Sequence, residues 1–103
     1  MQATDLKEII NQVFDIEKKI ANADIEKTVS RSINRIKREF QGLGLEYHNP
    51  LGEVFDDTRL DCDAMINTND LEHMVISEVI KPIIYHKENG RMLLIQRAIV
   101  VIE

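Results

Sequence analysis

The feature that most constrains the fold is a change of hydrophobic pattern at residues 42–57, "GLGLEYHNPLGEVFDD". Before this stretch, apolar residues recur every three or four positions, as on one face of a helix. After it come short apolar and β-branched runs, which are typical of strands. The stretch itself contains three glycines and a proline, residues that set turns and end helices. The sequence therefore predicts an α+β protein, with a helical part before a β part.

Two apolar stripes lie in the helical part. The first contains Leu6, Ile9, Val13, Ile16 and Ile20, and the second contains Val29, Ile33, Ile36 and Phe40. At about 100° per residue, the step from Ile20 to Val29 would turn the two stripes to opposite sides of one straight helix. We therefore predict two helices, from about residue 5 to 21 and from about 25 to 41. Asn22 and Asp24, which favour turns and helix N-caps, lie between them.

Two antiparallel helices with one apolar face each bury those faces poorly alone, and a chain of 103 residues buries only about two-thirds of its unfolded surface. We expect two such hairpins to pair as a four-helix bundle in a homodimer. The predicted dimer interface consists of Ile9, Val13, Ile16, Val29, Ile33 and Ile36. Residues 1–42 then form the dimerisation unit, and residues 43–103 form a small antiparallel β domain that binds a partner.

The predicted strands are "LEYH", "EVF", "DAMI", "MVISEVI", "PIIYH" and one long closing run, "RMLLIQRAIVVIE". Asn89-Gly90 is a strong signal for a type I′ hairpin turn, because that turn needs positive φ at both central residues. Pro82 has no N–H to donate, which predicts a sheet edge or a bulge. No strand-helix alternation is present, and its absence argues against parallel pairing.

Charge and cysteine content limit the function classes. The formal net charge of −5 argues against nonspecific nucleic-acid binding, which requires neutralisation of phosphates. A single cysteine, Cys62, cannot form an internal disulfide and fits a reducing compartment. Neither a signal peptide nor a run long enough to span a membrane is recognisable. We expect a soluble cytoplasmic protein.

Four carboxylates crowd the region after the glycine-rich stretch: Asp56, Asp57, Asp61 and Asp63. Carboxylate oxygens bind hard cations, but the spacing of a calcium loop is not present. A solvated acidic turn is the favoured interpretation, with a metal site as the alternative.

Thiol catalysis would need a base near Cys62, and the histidines at 48, 73 and 86 form no recognisable signature with it. The two flanking aspartates should raise the pKa of the thiol, so a small buried side chain is expected. The glycines match no phosphate-binding loop. We predict no enzyme activity and no cofactor.

A basic run on the second predicted helix contains Arg31, Arg35, Lys37 and Arg38. The three arginines lie on one helical face, away from the apolar stripe. Such a face is usually solvated; binding to an acidic partner surface is the alternative.

The junction also carries a family resemblance. Gly44-Leu45-Glu46, then Pro50-Leu51-Gly52 and Phe55-Asp56, resemble the start of the β domain in GrpE-type nucleotide exchange factors of DnaK-type chaperones. "IINQVFDIEKKIANA" and "DIEKTVSRSINRIKREF" look like the two bundle helices of that family. "SEVIKPIIY" and "QRAIVVI" look like its later strands. The blocks follow the order of the family, here in a short form without the long N-terminal stalk helix.

The resemblance implies a co-chaperone for protein folding and the stress response, without chemistry of its own. The bundle would hold a homodimer together. The β domain would bind the ATPase domain of the chaperone in its open state and so promote ADP release. The positions that match partner contacts are Val79, Lys81, Arg91 and Ile102, and Gly44 would be the hinge between bundle and β domain.

Several residues depart from the family pattern. Asp57 stands in place of a proline, Pro82-Ile83 in place of Gly-Tyr, and Gln96-Arg97 in place of Arg-Pro. These departures keep a second interpretation open, in which the chain is a GrpE-like dimeric scaffold module without exchange activity.

Overall fold

The computed structural model describes residues 6–21, 23 and 25–103. In that part of the chain two helices precede six strands. The elements are α1 (Lys7–Ile20), α2 (Glu26–Gly42), β1 (Leu45–His48), β2 (Cys62–Ile66), β3 (Ile76–Lys81), β4 (Ile83–Glu88), β5 (Arg91–Gln96) and β6 (Ala98–Ile102). The prediction of an α+β chain is confirmed. Asn22 and Asp24, the predicted turn formers, lie outside the described residues.

Both helices lie within two residues of their predicted bounds at every end that the structure describes. Helix α1 buries Ile10, Val13 and Phe14, and α2 buries Ile33 and Phe40. The buried face of α1 is thus rotated from the predicted stripe toward Ile10 and Phe14. Adjacent apolar residues at positions 9 and 10 leave the orientation of such a helix undecided until it packs against another element.

The first sheet is antiparallel and has the strand order β1-β4-β5. Strands β4 and β5 form a hairpin in which Glu88 lies opposite Arg91. Asn89 and Gly90 connect them with φ values of 53° and 78°. Positive φ at both positions is what a type I′ turn requires, so the hairpin prediction is confirmed.

The second sheet is mixed, with the strand order β2-β6-β3. Strand β6 pairs antiparallel with β3 but parallel with β2, with Cys62 opposite Ala98 and Ile66 opposite Ile102. The prediction of a wholly antiparallel β part was therefore wrong. Parallel strands need a long connection, and here β3 and the β4–β5 hairpin supply it, so no crossover helix is required.

Two single residues carry the chain from one sheet to the other. Pro82 lies between β3 and β4 and is buried, so it belongs to neither strand. Arg97 separates β5 from β6, and its guanidinium donates to the carbonyl oxygen of Cys62 and pairs with Asp63. The predicted single closing strand is therefore two strands in different sheets. The predicted strand "EVF" forms only one bridge, from Val54 to Val75.

Two hydrophobic clusters form the core. The first cluster contains Phe14, Phe55, Cys62, Met74, Ile76, Val79, Ile83, Ala98, Val100 and Ile102. The second cluster contains Leu6, Ile10, Val13, Ile33, Phe40, Leu45 and Ile84. Each cluster draws on both helical and strand residues, and Tyr47 packs against both. The helices thus bury part of their apolar faces against the chain's own antiparallel sheet.

Candidate protein-interaction surface

The junction between the helical and β parts is fixed at Gly44. This residue has φ of +79°, a region that glycine enters without the steric cost that a Cβ brings. Its N–H donates to the carbonyl of Gln41, and its own carbonyl accepts from Lys87 N–H at 2.7 Å. A Cβ at this position would lie 2.8 Å from the Lys87 carbonyl oxygen. The backbone of α2 is therefore held closely against β4, as expected for a glycine at this position.

A polar cluster ties α1 and α2 to β1. The Tyr47 hydroxyl donates to Glu17, and Lys37 Nζ lies 2.9 Å from the same carboxylate and 5.1 Å from the Tyr47 ring centre. Burial and the Glu17 charge raise the pKa of Tyr47 far above its ordinary value. On α1, Lys18 donates to the carbonyl of Val79 at 2.7 Å. Lys37 therefore contributes to packing, unlike its neighbours in the basic run.

The three arginines of that run, Arg31, Arg35 and Arg38, are exposed. This agrees with the predicted solvated face and does not identify a partner for it.

A cleft of about 520 Å³ opens between the helices and the loop after β1. Phe14 and Tyr47 line it in an edge-to-face arrangement, with ring centres 6.4 Å apart. The charged groups Glu17 and Lys37 in its lining bind each other. The cleft thus combines aromatic walls with polar groups that are already paired, which suits packing better than proton transfer.

A second candidate surface is the outer face of the mixed sheet. Along β6, β3 and β2, residues of the first cluster are interspersed with side chains outside it. Across the strands, Val101 lies between Met65 and Glu78, and Ile99 lies between Asp63 and Lys81. This set, which we call the outer face, consists of Asp63, Met65, Glu78, Lys81, Ile99 and Val101. Its central residue Val101 is only 8% exposed, and its exposed members are Met65 and the charged residues Asp63, Glu78 and Lys81.

The four predicted partner contacts are placed differently from one another. Lys81 and Arg91 are exposed, whereas Val79 and Ile102 are buried in the first cluster. Lys81 lies on the outer face, but Arg91 begins β5 in the other sheet. Strand β4 separates these two residues, and its five residue steps span about 17 Å at the usual rise. The structure therefore does not bring the four residues together at one point, and their contact role stays a prediction.

The six predicted dimer residues divide into two groups. Val13 and Ile33 are buried within the second cluster, and Val29 packs against it. Ile9, Ile16 and Ile36 remain 50%, 47% and 39% exposed. Only this second group offers uncovered apolar surface to another subunit.

The acidic region does not gather into one site. Arg59 donates to Asp61 at 2.6 Å, to Glu53 at 2.7 Å and to the Val54 carbonyl. Burial opposes ionisation of Asp61, but the bond and charge of Arg59 outweigh it, and the pKa of Asp61 is lowered. Asp56 instead accepts from the backbone and hydroxyl of Thr58. Within the described ranges, no group of three or more potential ligands gathers as a cation site would require.

Cys62 is buried, as predicted. Its thiol pKa is raised to about 11, chiefly because of burial and only then because of Asp61. The predicted direction was correct, but the flanking aspartates are not its main cause. A thiol of this kind is protonated at neutral pH and suits packing rather than nucleophilic attack.

The sequence interpretation missed Met65, Ile99 and Val101, the apolar centre of the outer face. Their signal was the alternation in "DAMI" and "AIVVI". Such alternation shows which residues share a face. It does not show which face is buried until both flanking strands are known.

Comparison of the chain with protein-family models, with curated proteins and with solved structures finds no match. Neither α1 nor α2 is long and apolar enough to cross a membrane, and the structure describes no other helix of that kind.

Proposed function

We propose that this chain is a GrpE-like co-chaperone of the cytoplasm. It acts as a homodimer, binds the ATPase domain of a DnaK-type chaperone in its open state and promotes ADP release. It uses no cofactor and performs no catalysis. Such a protein works by population shift, because it binds the open state more tightly than the closed one.

The observation that carries this proposal is the junction at Gly44. The resemblance places a glycine between the helical and β parts, where the last bundle helix turns into the first strand. The positive φ and the 2.8 Å approach to the Lys87 carbonyl oxygen supply a physical reason for glycine there. The proposal thus has a geometrical basis at a position that the resemblance singles out.

The distribution of free apolar surface also supports the proposal. Ile9, Ile16 and Ile36 expose apolar side chains on the helices, as a dimer through the helices would use. The outer face, including Lys81, belongs to the mixed sheet. Because the two surfaces lie on different elements, a subunit contact and a partner contact do not compete for the same residues.

The test is the release of a fluorescent ADP analogue from the DnaK-type chaperone of the same organism. We expect the parent protein to accelerate release. Replacing both Lys81 and Arg91 by alanine should abolish the effect, because removing one partner of a desolvated charge pair costs about 2 to 5 kcal/mol. The matched control replaces two exposed lysines of the helices, Lys19 and Lys27, by alanine. It should behave like the parent.

Circular dichroism and the molar mass from light scattering must be the same for all three proteins. If the double variant remains as active as the parent, the contact assignment is wrong. If the parent does not change ADP release, exchange activity is rejected and the scaffold interpretation takes its place.

A further inference from the structure

Strand β5 forms an open edge of the antiparallel sheet. Its sheet has the order β1-β4-β5, so within the described residues β5 has a strand neighbour on one side only. The edge strand is six residues long, "RMLLIQ". Edge strands present unpaired backbone N–H and C=O groups and can take on a further strand.

The hairpin register identifies which backbone groups face outward. Glu88 and Arg91 close the type I′ turn, and His86 lies opposite Leu93. In an antiparallel ladder, residues alternate between pairs that exchange hydrogen bonds and pairs that do not. The pairs at Arg91 and Leu93 bond inward to β4, so Met92 and Leu94 direct their N–H and C=O groups to the open side. Met92 and Leu94, two residues apart, thus present two N–H donors and two C=O acceptors along the open edge.

The side chains along this edge are apolar on both faces. Met92, Leu93 and Leu94 are 49%, 42% and 40% exposed. Met92 and Leu94 lie on one face of the sheet, and Leu93 lies on the other, because successive side chains alternate. Natural edges are usually protected by a lysine, a proline or a bulge. Residues 92–94 include neither lysine nor proline, and the register irregularity of this hairpin lies beyond them, between Leu94 and Gln96.

Arg91 gives the edge a charged end. It is exposed, and within the described residues it takes part in none of the ion pairs. The carboxylate directly across the strand pair, Glu88, lies 3.8 Å from His86 instead. An acidic side chain on an added strand would complement this free cation.

We propose that the β5 edge binds an extended segment of another protein as an added strand. The segment runs antiparallel to β5, places apolar side chains beside Met92 and Leu94, and carries a carboxylate near its C-terminal end, opposite Arg91. Only an extended backbone supplies acceptors and donors at the spacing that this edge presents. This contact goes beyond nucleotide exchange and is measured without the chaperone.

A second copy of β5 fits the edge less well. Antiparallel self-pairing with Met92 opposite Leu94 uses the same backbone groups, but it places Arg91 opposite Ile95. The guanidinium then meets no carboxylate of the second copy. Charge complementarity therefore favours an acidic segment of a different chain.

The probe is a dye-labelled nine-residue peptide of alternating valine and threonine with one aspartate near its C-terminus. A second peptide of the same composition carries the aspartate near its N-terminus. Binding is measured by fluorescence anisotropy, and the site by amide chemical shifts. We expect the largest shifts at Met92 and Leu94, and several-fold tighter binding of the first peptide because its carboxylate meets Arg91.

Met92→Pro removes an outward N–H without removing a bond to β4, a substitution that an edge strand tolerates. It should weaken peptide binding about tenfold, since one hydrogen bond and its geometry are lost. Met92→Ala, which keeps the N–H, is the matched control and should bind more tightly than Met92→Pro. Met92→Lys, a charge at the edge, provides a second variant if the proline variant does not fold.

The proposal is overturned if neither peptide binds. It is also overturned if a peptide binds and neither Met92→Pro nor Met92→Lys weakens that binding. Analytical ultracentrifugation without peptide completes the test. Self-association that Met92→Lys abolishes and the peptide does not displace would assign the edge to a second copy instead. A failure of ADP release would leave these peptide results unaffected.

Discussion

The two three-stranded sheets of this protein differ in how they are assembled and in what covers them. The antiparallel sheet includes a hairpin of neighbouring strands, with Asn89-Gly90 at the turn, and the helices cover one of its faces through Ile84 and Leu45. The mixed sheet joins β2 to β6, segments far apart in the chain. Its outer face carries Met65, which is half exposed, opposite Val101, which is buried. One sheet thus packs against the helices, and the other exposes Met65 and charged side chains on its outer face.

This difference shows that similar short strands acquire different roles through their connections. In the first sheet, local turn chemistry sets the register, and the apolar helices complete the fold. In the second sheet, the register depends on the path of the chain through Pro82 and Arg97. The predictions below test three features: the packing of α1 on the antiparallel sheet, the attachment of α2 to that sheet, and the loop that precedes the mixed sheet.

The largest effect is expected where α1 covers the antiparallel sheet. Val13 is 7% exposed, so Val13→Asp buries an unpaired charge and should destabilise the fold by several kcal/mol. Ile16, three residues further along the same helix, is 47% exposed. Ile16→Asp should therefore keep the fold and weaken only a dimer. Thermal unfolding by circular dichroism and light scattering distinguish the two outcomes.

If Ile16→Asp remains a stable dimer, the helices do not form the subunit contact through this face. If Val13→Asp melts at the same temperature as the parent, α1 does not cover the sheet as described.

The next effect concerns the attachment of α2 to the antiparallel sheet. Three glycines distinguish the two reasons why an added Cβ would destabilise the fold, backbone strain and a steric clash. Gly44 has positive φ and a close neighbour. Gly52 has positive φ of +82° and open space, and Gly42 has open space alone. The Gly→Ala cost should decrease in that order, with about 1 to 3 kcal/mol at Gly44. Urea titration measures each value. Equal costs at positions 44 and 52 would show that the contact with Lys87 adds nothing.

Much of the fold could be predicted from the sequence because its signals are local. The helix bounds followed from periodicity, the hairpin from Asn89-Gly90, and the conformation of Gly44 from its place at a helix end. These features depend on residues within a few positions of one another.

The pairing of β2 with β6 could not be predicted, because no local pattern records which distant strand lies alongside. The rotation of α1 toward Ile10 was also undecided, since Ile9 and Ile10 are equally apolar. For the same reason the outer face was not recognised: Val79 and Ile102 are buried, and the outer-face residues beside them are Glu78, which is exposed, and Val101, which is buried. The sequence showed where side chains alternate, and tertiary packing decided which of them face the core.

A smaller effect is expected where Arg59 anchors the loop before the mixed sheet. Its side chain is 19% exposed and binds Glu53 and Asp61. Arg59→Ala should lower the free energy of unfolding by about 1 to 2 kcal/mol at pH 7, because charge-assisted hydrogen bonds are lost at a partly solvated site. Chemical denaturation measures this difference.

The pH dependence of the free energy of unfolding tests whether the ion pairs of Arg59 cause this stabilisation. Burial opposes ionisation of both carboxyls, yet Arg59 lowers the pKa of Asp61 and of Glu53 below their ordinary values of 3.8 and 4.5. Stabilisation from a lowered pKa is fully present above the ordinary value and is lost as the pH falls through the folded-state pKa. The difference in free energy of unfolding between the parent and Arg59→Ala should therefore become smaller as the pH falls from 6 to about 3. A constant difference over this range would exclude the ion pairs as its cause.

The most direct test of the division between the two sheets is hydrogen-deuterium exchange of this protein with and without the ATPase domain of the DnaK-type chaperone that we propose as its partner. Our account predicts new protection in β2, β3 and β6, around the outer face and Lys81. The exposed stripe of α1 at Ile9 and Ile16 should be equally protected in both samples, because in the proposed dimer the subunit contact covers it with or without the chaperone. Protection that appears only in the helices, with the mixed sheet unchanged, would contradict the account.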